Sequence, residues 1–205
     1  LTVFGKRTNP FTLVGDVPYK FPFMTVEPSS DQFALKVNVE NEGIALLSLF
    51  TDQVAWKGGE GKVNLQVNGT LRTLPSGAID FRPTATGSAR FKDARFSAAA
   101  LPGEVTNVTG DVLFANDRIH VQAQGLFSNG TIAAQGILPI LSPLATTDPA
   151  TSTPLLVNLD NINLRLEGLY DGGVDGQMVV TGTALAPLIG GQVGLSGGRV
   201  LIPDA

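Results

Sequence analysis

The chain has 205 residues, of which 43% are hydrophobic and only 16% charged, and its formal net charge is −4. Contacts to nucleic-acid phosphates need a basic surface, so this charge balance argues against a nucleic-acid partner. The chain contains no cysteine, which excludes disulfides, thiolate metal sites and a cysteine nucleophile.

Residues 1–31 are expected to form an extended lead-in or edge strands, because they contain Pro10, Pro18, Pro22 and Pro28. The chain begins without Met, shows no basic-then-apolar leader, and has no apolar stretch near the ~18 residues of a membrane span. We therefore expect residues 1–205 to be a single β-rich domain taken from a larger protein, with any membrane anchor outside it.

From residue 32 onward the dominant pattern is alternation of apolar and polar residues. Side chains of a strand point to opposite faces in turn, so each run predicts a strand with one apolar and one wet face. This pattern is typical of antiparallel sheets. The predicted apolar positions are Phe33, Leu35, Val37, Val39, Val63, Leu65, Val67, Ile119, Val121, Ile162, Leu164, Leu166, Met178 and Val180. We predict roughly a dozen short strands and no helix.

Turn signals separate the apolar runs. Asn129-Gly130 predicts a two-residue hairpin turn, since Asn and Gly accept the positive φ angles of such a turn. Further turns are predicted at Asn41-Glu42-Gly43, Gly58-Gly59, Asp171-Gly172-Gly173 and Gly197-Gly198. The stretch 144–154, rich in Thr, Ala and Pro, is predicted to be a flexible surface loop.

No combination of residues predicts catalysis. Gly194-Leu195-Ser196-Gly197-Gly198 matches G-x-S-x-G, but a strand-like run follows it and the only histidine, His120, lies upstream. We interpret this motif as a hairpin turn. His120 alternates with Ile119 and Val121 and is expected on the polar face, where a lone imidazole makes a poor metal site. We expect neither an enzyme, nor a metal, nor a cofactor.

The apolar face itself allows two arrangements. In a closed sandwich or barrel, two sheets bury each other's apolar faces, and periodicity alone favours this arrangement. In an open, curved sheet the same face would form a groove for an apolar ligand.

Several glycine-rich motifs resemble one protein family. Residues 182–191 (GTALAPLIGG), followed by 195–200 (LSGGRV), are similar to the recurrent repeat of TamB proteins, as is the stretch 69–77 with Gly69-Thr70-Leu71, Pro75 and Gly77. Residues 105–119 are similar to the linking strands of that family. The resemblance covers most of residues 33–205.

The resemblance implies an all-β fold: an elongated, curved, mostly antiparallel sheet folded into a β-taco with a hydrophobic groove. TamB and the wider AsmA-like group are envelope proteins with an inner-membrane anchor and a periplasmic body, and plastids have counterparts in their envelope. The group is implicated in phospholipid transport. The resemblance thus favours the open groove, with phospholipid acyl chains as ligand and the alternating apolar positions as its lining. It also implies an outer-membrane TamA-like barrel partner for the full-length protein.

Two other functions remain open. The apolar face and the strand edges could hold an unfolded outer-membrane barrel protein by strand addition, as a chaperone or assembly module. A closed sandwich would instead serve as a scaffold without an apolar ligand. In either case, bare sheet edges are expected to favour self-association.

Overall fold

The computed structural model describes residues 11–18, 30–49, 54–74, 76, 78–98, 101–141, 153–166, 170–184 and 186–200. Ten strands and one 3-10 helix occur in this part of the chain. The strands are β1 (Phe11–Asp16), β2 (Gln32–Glu40), β3 (Val54–Thr73), β4 (Ile79–Ala98), β5 (Glu104–Asn116), β6 (Arg118–Phe127), β7 (Gly130–Pro139), β8 (Leu155–Leu166), β9 (Tyr170–Gly182) and β10 (Pro187–Val200). The helix, Asn41–Leu49, connects β2 to β3.

The strands form one sheet in chain order, from β1 at one edge to β10 at the other, and every neighbouring pair is antiparallel. The predicted all-β, curved antiparallel sheet is confirmed, and the sheet is open. The closed sandwich that periodicity alone favoured is therefore wrong for the described residues. Alternation cannot separate the two arrangements, because both need one apolar face per strand.

The prediction of short strands without a helix is wrong in two respects. Strands β3 and β4 each extend over 20 residues. Asn41-Glu42-Gly43, predicted as a simple turn, begins the 3-10 helix of nine residues. The Asn41 side chain attaches this helix to the sheet, because its Oδ1 accepts a hydrogen bond from the Gly61 backbone N–H at 3.1 Å.

Three predicted turns lie inside strands instead. Gly58-Gly59 forms bulges in β3, where the register with β4 shifts on both sides of Gly58. Asp171-Gly172-Gly173 belongs to β9, and Gly197-Gly198 lies at a register shift within β10. Glycine with positive φ suits a bulge as well as a turn, so composition alone did not distinguish them.

The hairpin between β6 and β7 is confirmed, with a shift of one residue. The two turn residues are Ser128 and Asn129, with φ of 46° and 67°, and Gly130 already pairs with Phe127. The Asn163 backbone N–H donates to the Ser128 carbonyl oxygen at 3.0 Å, which joins this turn to β8.

The predicted lead-in and loop lie partly outside the described residues. In the lead-in, Phe11–Asp16 forms the edge strand β1. Of the stretch 144–154, only Thr153 and Pro154 are described, and the Ile137 backbone N–H donates to the Thr153 carbonyl oxygen at 3.0 Å. Among the described residues, the one helix has nine residues and is too short to span a bilayer.

Candidate functional site

The register of the sheet defines two faces. Residues directly opposite each other in an antiparallel pair share a face. Val37 lies opposite Leu65, and Leu65 lies opposite Gly87. We call the face that carries these residues the inner face, and the other the outer face.

The pairing places all the predicted apolar positions on the inner face. For example, Val63 pairs with Val39, and Val157 pairs with Met178 of β9 and with Ala134 of β7. The inner-face positions predicted from sequence are Phe33, Leu35, Val37, Val39, Val63, Leu65, Val67, Ile119, Val121, Ile162, Leu164, Leu166, Met178 and Val180. The chain thus carries one apolar surface across the whole sheet. That these residues line a lipid groove stays a prediction.

Most of this surface is only half-buried. Phe33, Val39 and Ile162 are buried, whereas the other predicted positions retain intermediate exposure. An open sheet has no second layer to cover its apolar face. A contiguous apolar face left partly in water is typical of a binding surface.

Charge is confined to the other face. Apart from the bulges, no charged side chain occupies an inner-face position of the described strands. On the outer face, Lys62 Nζ lies 2.8 Å from Glu40 Oε1 in an ion pair. Arg90 Nε donates a hydrogen bond to Asp111 Oδ1 at 2.7 Å. The hydrogen bond and the charge of Asp111 raise the pKa of Arg90 above its ordinary value. Such exposed ion pairs add little to the free energy of folding, but they keep this face hydrated.

Two apolar clusters, the first buried and the second of intermediate exposure, lie on one side of the sheet, where β2, β4, β6 and β8 end; we call it the helix side. One cluster contains Phe127, Ile162, Tyr170 and Val174. In the other, Trp56 and Phe91 pack around Phe96, with ring centroids of 5.1 and 5.4 Å to that residue. These clusters give the helix side of the sheet its core.

Sequence analysis singled out neither Phe91 nor Phe96. The two phenylalanines are five residues apart, an odd spacing that should place them on opposite faces of a regular strand. Asp93, with a φ of 49°, lies between them at a shift in register, and this bulge returns Phe96 to the inner face. The Phe-x-x-x-x-Phe spacing around an Asp was the available signal.

The other side of the sheet carries less buried surface. There Phe33 stacks on Phe81 with a centroid distance of 5.4 Å. Phe81 itself remains exposed. The inner face is therefore packed along the helix side and accessible toward the opposite side.

The apolar surface continues to both edge strands. On β1, Leu13 is 54% exposed. On β10, Ile189, Val193 and Leu195 are 68%, 52% and 58% exposed, and all three lie on the inner face by their pairing with β9. The apolar face thus reaches both edges of the described sheet.

The G-x-S-x-G motif lies within strand β10, so the predicted hairpin turn is wrong. Gly198 and Gly172 approach the ring of Tyr170 so closely that a side chain at either position would collide with it. The Tyr170 hydroxyl donates to the Gly173 carbonyl oxygen at 2.7 Å. Gly198 of this motif, together with Gly172 of β9, therefore makes space for a buried tyrosine.

The outer face holds the only histidine of the sequence. His120 is exposed and lies opposite Leu113 and Ile137. These side chains, with Leu156, contribute to an open cleft of about 520 Å³. Among the described residues, no group of three or more His, Asp or Glu side chains is placed to hold a metal ion.

Residues 121–205, which include most of β6 and all of β7 to β10, match the family model of the TamB C-terminal domain. This part of the chain is similar to the TamB C-terminal domain. The resemblance inferred from the glycine-rich motifs is thereby confirmed.

Two curated plant proteins are similar over a longer stretch. They are Protein SUBSTANDARD STARCH GRAIN 4, chloroplastic, of Oryza sativa subsp. japonica, and Protein TIC236, chloroplastic, of Arabidopsis thaliana. Each is 25% identical over 171 residues, which is 82% of this chain and 7% of the relative. The chain therefore spans only a small part of the length of these relatives. No solved structure matches.

Proposed function

We propose that this chain is a lipid-binding segment of an envelope protein, which guides phospholipid acyl chains between membranes along the inner face of its sheet. One observation carries the proposal: an uncharged, apolar and half-exposed face continues across all ten described strands. The TamB match and the two chloroplastic relatives support an envelope location.

The free energy of transfer supports such a role. Burial of one methylene contributes roughly 0.8 kcal/mol, so a long acyl chain gains on the order of 10 kcal/mol from a continuous apolar surface. A phospholipid that crossed the water between two membranes would lose this free energy, because its acyl chains would be exposed to solvent. A chain that slides along the inner face keeps its methylenes covered while the head group remains in water, and no side chain has to react.

The test compares charges placed on the two faces of the sheet, on β3 and again on β9. We expect Leu65→Glu and Met178→Glu to lower the uptake of a fluorescent phospholipid from phosphatidylglycerol vesicles about tenfold, because each carboxylate would enter the apolar face. The matched controls are Gln66→Glu and Gln177→Glu, which add the same charge to adjacent, exposed outer-face positions.

Circular dichroism and thermal unfolding establish that all four variants are folded. Equal lipid uptake by folded inner-face and outer-face variants would contradict the proposal. Uptake that falls in the inner-face pair alone would support it.

A second function, strand addition to a client barrel protein, is favoured by the edge strand β10. All its described side chains are exposed, and residues 187–198 contain no charged residue. Natural sheets usually protect such edges with charges or proline. Photo-crosslinks from position 193 to nascent barrel strands, in a protein that takes up no lipid, would favour this function over the first.

A further inference from the structure

Three inner-face glycines share one unusual backbone conformation. Gly87, Gly136 and Gly191 have φ of 141°, 143° and 141°. L-residues with a side chain rarely adopt this region, whereas glycine does so at little cost. The three belong to β4, β7 and β10, which is every third strand of the sheet.

Space also requires glycine at these positions. A Cβ at any of the three would overlap the backbone of the neighbouring strand. The overlapping carbonyl oxygens are those of Asn64 for Gly87, Pro154 for Gly136 and Gln177 for Gly191. The same lack of space is found at other inner-face glycines, such as Gly69 and Gly176, so the shared φ near 142° is what sets these three apart.

The first two glycines are related through the register. Pairing leads from Gly87 through Phe114 and Ile119 to Leu138 on β7. Leu138 is the inner-face neighbour of Gly136, two residues along the same strand. Gly136 is therefore offset from Gly87 by one inner-face position along the strand direction.

The same step relates the second glycine to the third. Ala134, the next inner position on β7 after Gly136, pairs with Val157 of β8. Val157 pairs with Met178, and Met178 pairs with Gly191. The three glycines thus follow a straight diagonal across the sheet, with a shift of one inner position for every three strands.

Pairing is regular at Gly87, at Gly191 and between Gly136 and β6, whereas on the β8 side the ladder ends at Gln135, one residue before Gly136. The register shifts of the sheet lie elsewhere, so these glycines are not bulges. Glycine kinks are a known means of bending a sheet without losing its hydrogen-bond register. A row of kinks across successive strands bends a sheet along one line.

We propose that Gly87, Gly136 and Gly191 form the crease along which this sheet folds, and so set the width of the trough available to acyl chains. The consequence for ligand uptake rests on the proposed lipid-binding function; the role in curvature does not. A substitution at the crease removes no apolar lining residue, so any effect on uptake has to act through the backbone. These glycines are positioning residues.

The bend can be measured directly on β4, because the chain has no native cysteine. Arg82 and Lys92 flank Gly87 by five residues on either side and share the outer face. Spin labels attached to Arg82→Cys and Lys92→Cys report the end-to-end distance of this stretch by pulsed electron resonance. Ten straight extended residues would span about 33 Å. We expect a shorter distance in the native sequence and a longer one in the same labelled protein with Gly87→Ala.

A matched control is present in β10. A Cβ at Gly190 meets no atom within 4 Å, although Gly190 is adjacent to the crease glycine Gly191. We expect Gly87→Ala and Gly136→Ala to reduce uptake of the fluorescent phospholipid severalfold, and Gly190→Ala to leave it unchanged. An unchanged label distance in a folded Gly87→Ala protein would overturn the crease.

Two further outcomes separate the two proposals. In one, Gly87→Ala lengthens the label distance while the native protein takes up no lipid. That result supports the crease and refutes the lipid-binding function. If Gly87→Ala does not fold, D-alanine introduced at position 87 by ligation tests the backbone angle, since a D-residue favours positive φ. A folded D-alanine protein with the native label distance supports the crease, and one with a lengthened distance overturns it.

Discussion

At the scale of single residues, stability is concentrated in a few side chains on the helix side. Ile44 is 0% exposed, and it takes the space over Gly61 that a side chain at Gly61 would fill. Ile44 therefore packs the 3-10 helix against the sheet. Periodicity did not reveal this residue, because Ile44 belongs to no strand and the helix is too short to show a repeat.

We expect Ile44→Ala to lower the free energy of unfolding by about 2–5 kcal/mol, the range for truncating a buried isoleucine that leaves a cavity. Leu46, in the same helix, is 40% exposed. Leu46→Ala should therefore change stability by less than about 0.5 kcal/mol. Urea unfolding measures both values. Equal values for the two variants would show that the helix does not pack through Ile44.

A second prediction concerns the hydroxyl of Tyr170. Tyr170→Phe keeps the buried ring but removes the donor to the Gly173 carbonyl oxygen, 2.7 Å away. We expect a loss of about 1–2 kcal/mol, because the carbonyl loses its side-chain donor in a part-buried site. Thermal unfolding beside the native protein checks this value, and an unchanged midpoint would contradict it.

At the scale of elements, the strands on either side of the β6–β7 hairpin followed from the sequence, and the bulges did not. Alternation at Ile119 and Val121 together with Asn129-Gly130 determined two strands and a turn within one residue. By contrast, Gly58-Gly59 has the composition of a turn, and only the pairing of β3 with β4 on both sides of it shows a bulge. Pairing is a non-local property, which local composition does not report.

The hairpin allows a direct test of the backbone. Asn129 has a φ of 67°, which suits Asn and Gly but not β-branched residues. We expect Asn129→Gly to be close to neutral and Asn129→Ile to cost about 1–3 kcal/mol through local strain. Chemical denaturation of the two variants gives the comparison. Similar stabilities would mean that the turn relaxes to another conformation.

At the scale of the whole molecule, one property determines what this chain can do: its sheet is open. The sequence predicted which residues share the inner face, because a face depends only on the period of two. It did not predict that the face stays uncovered; that expectation came from the family resemblance. Nor did it predict the apolar clusters around Phe96 and Tyr170, which depend on bulges and on close approach of glycines.

Self-association through the edge strands remains a prediction at this scale. We expect the purified chain to form dimers or larger species in a concentration-dependent manner, because β10 presents an uncharged, exposed edge. Val193→Lys should shift light-scattering masses toward the monomer, whereas Gln177→Lys, on the outer face of β9, should not. A native chain that stays monomeric at high concentration would contradict the prediction.

Lipid binding by the inner face is tested most directly by mass spectrometry of the purified chain. Native mass spectra give the mass of the intact complex, and an organic extract of the same sample identifies what was bound. We predict phospholipid in stoichiometric amount, reduced in Leu65→Glu and retained in Gln66→Glu. A lipid-free protein that also fails to take up phospholipid from vesicles would contradict the account.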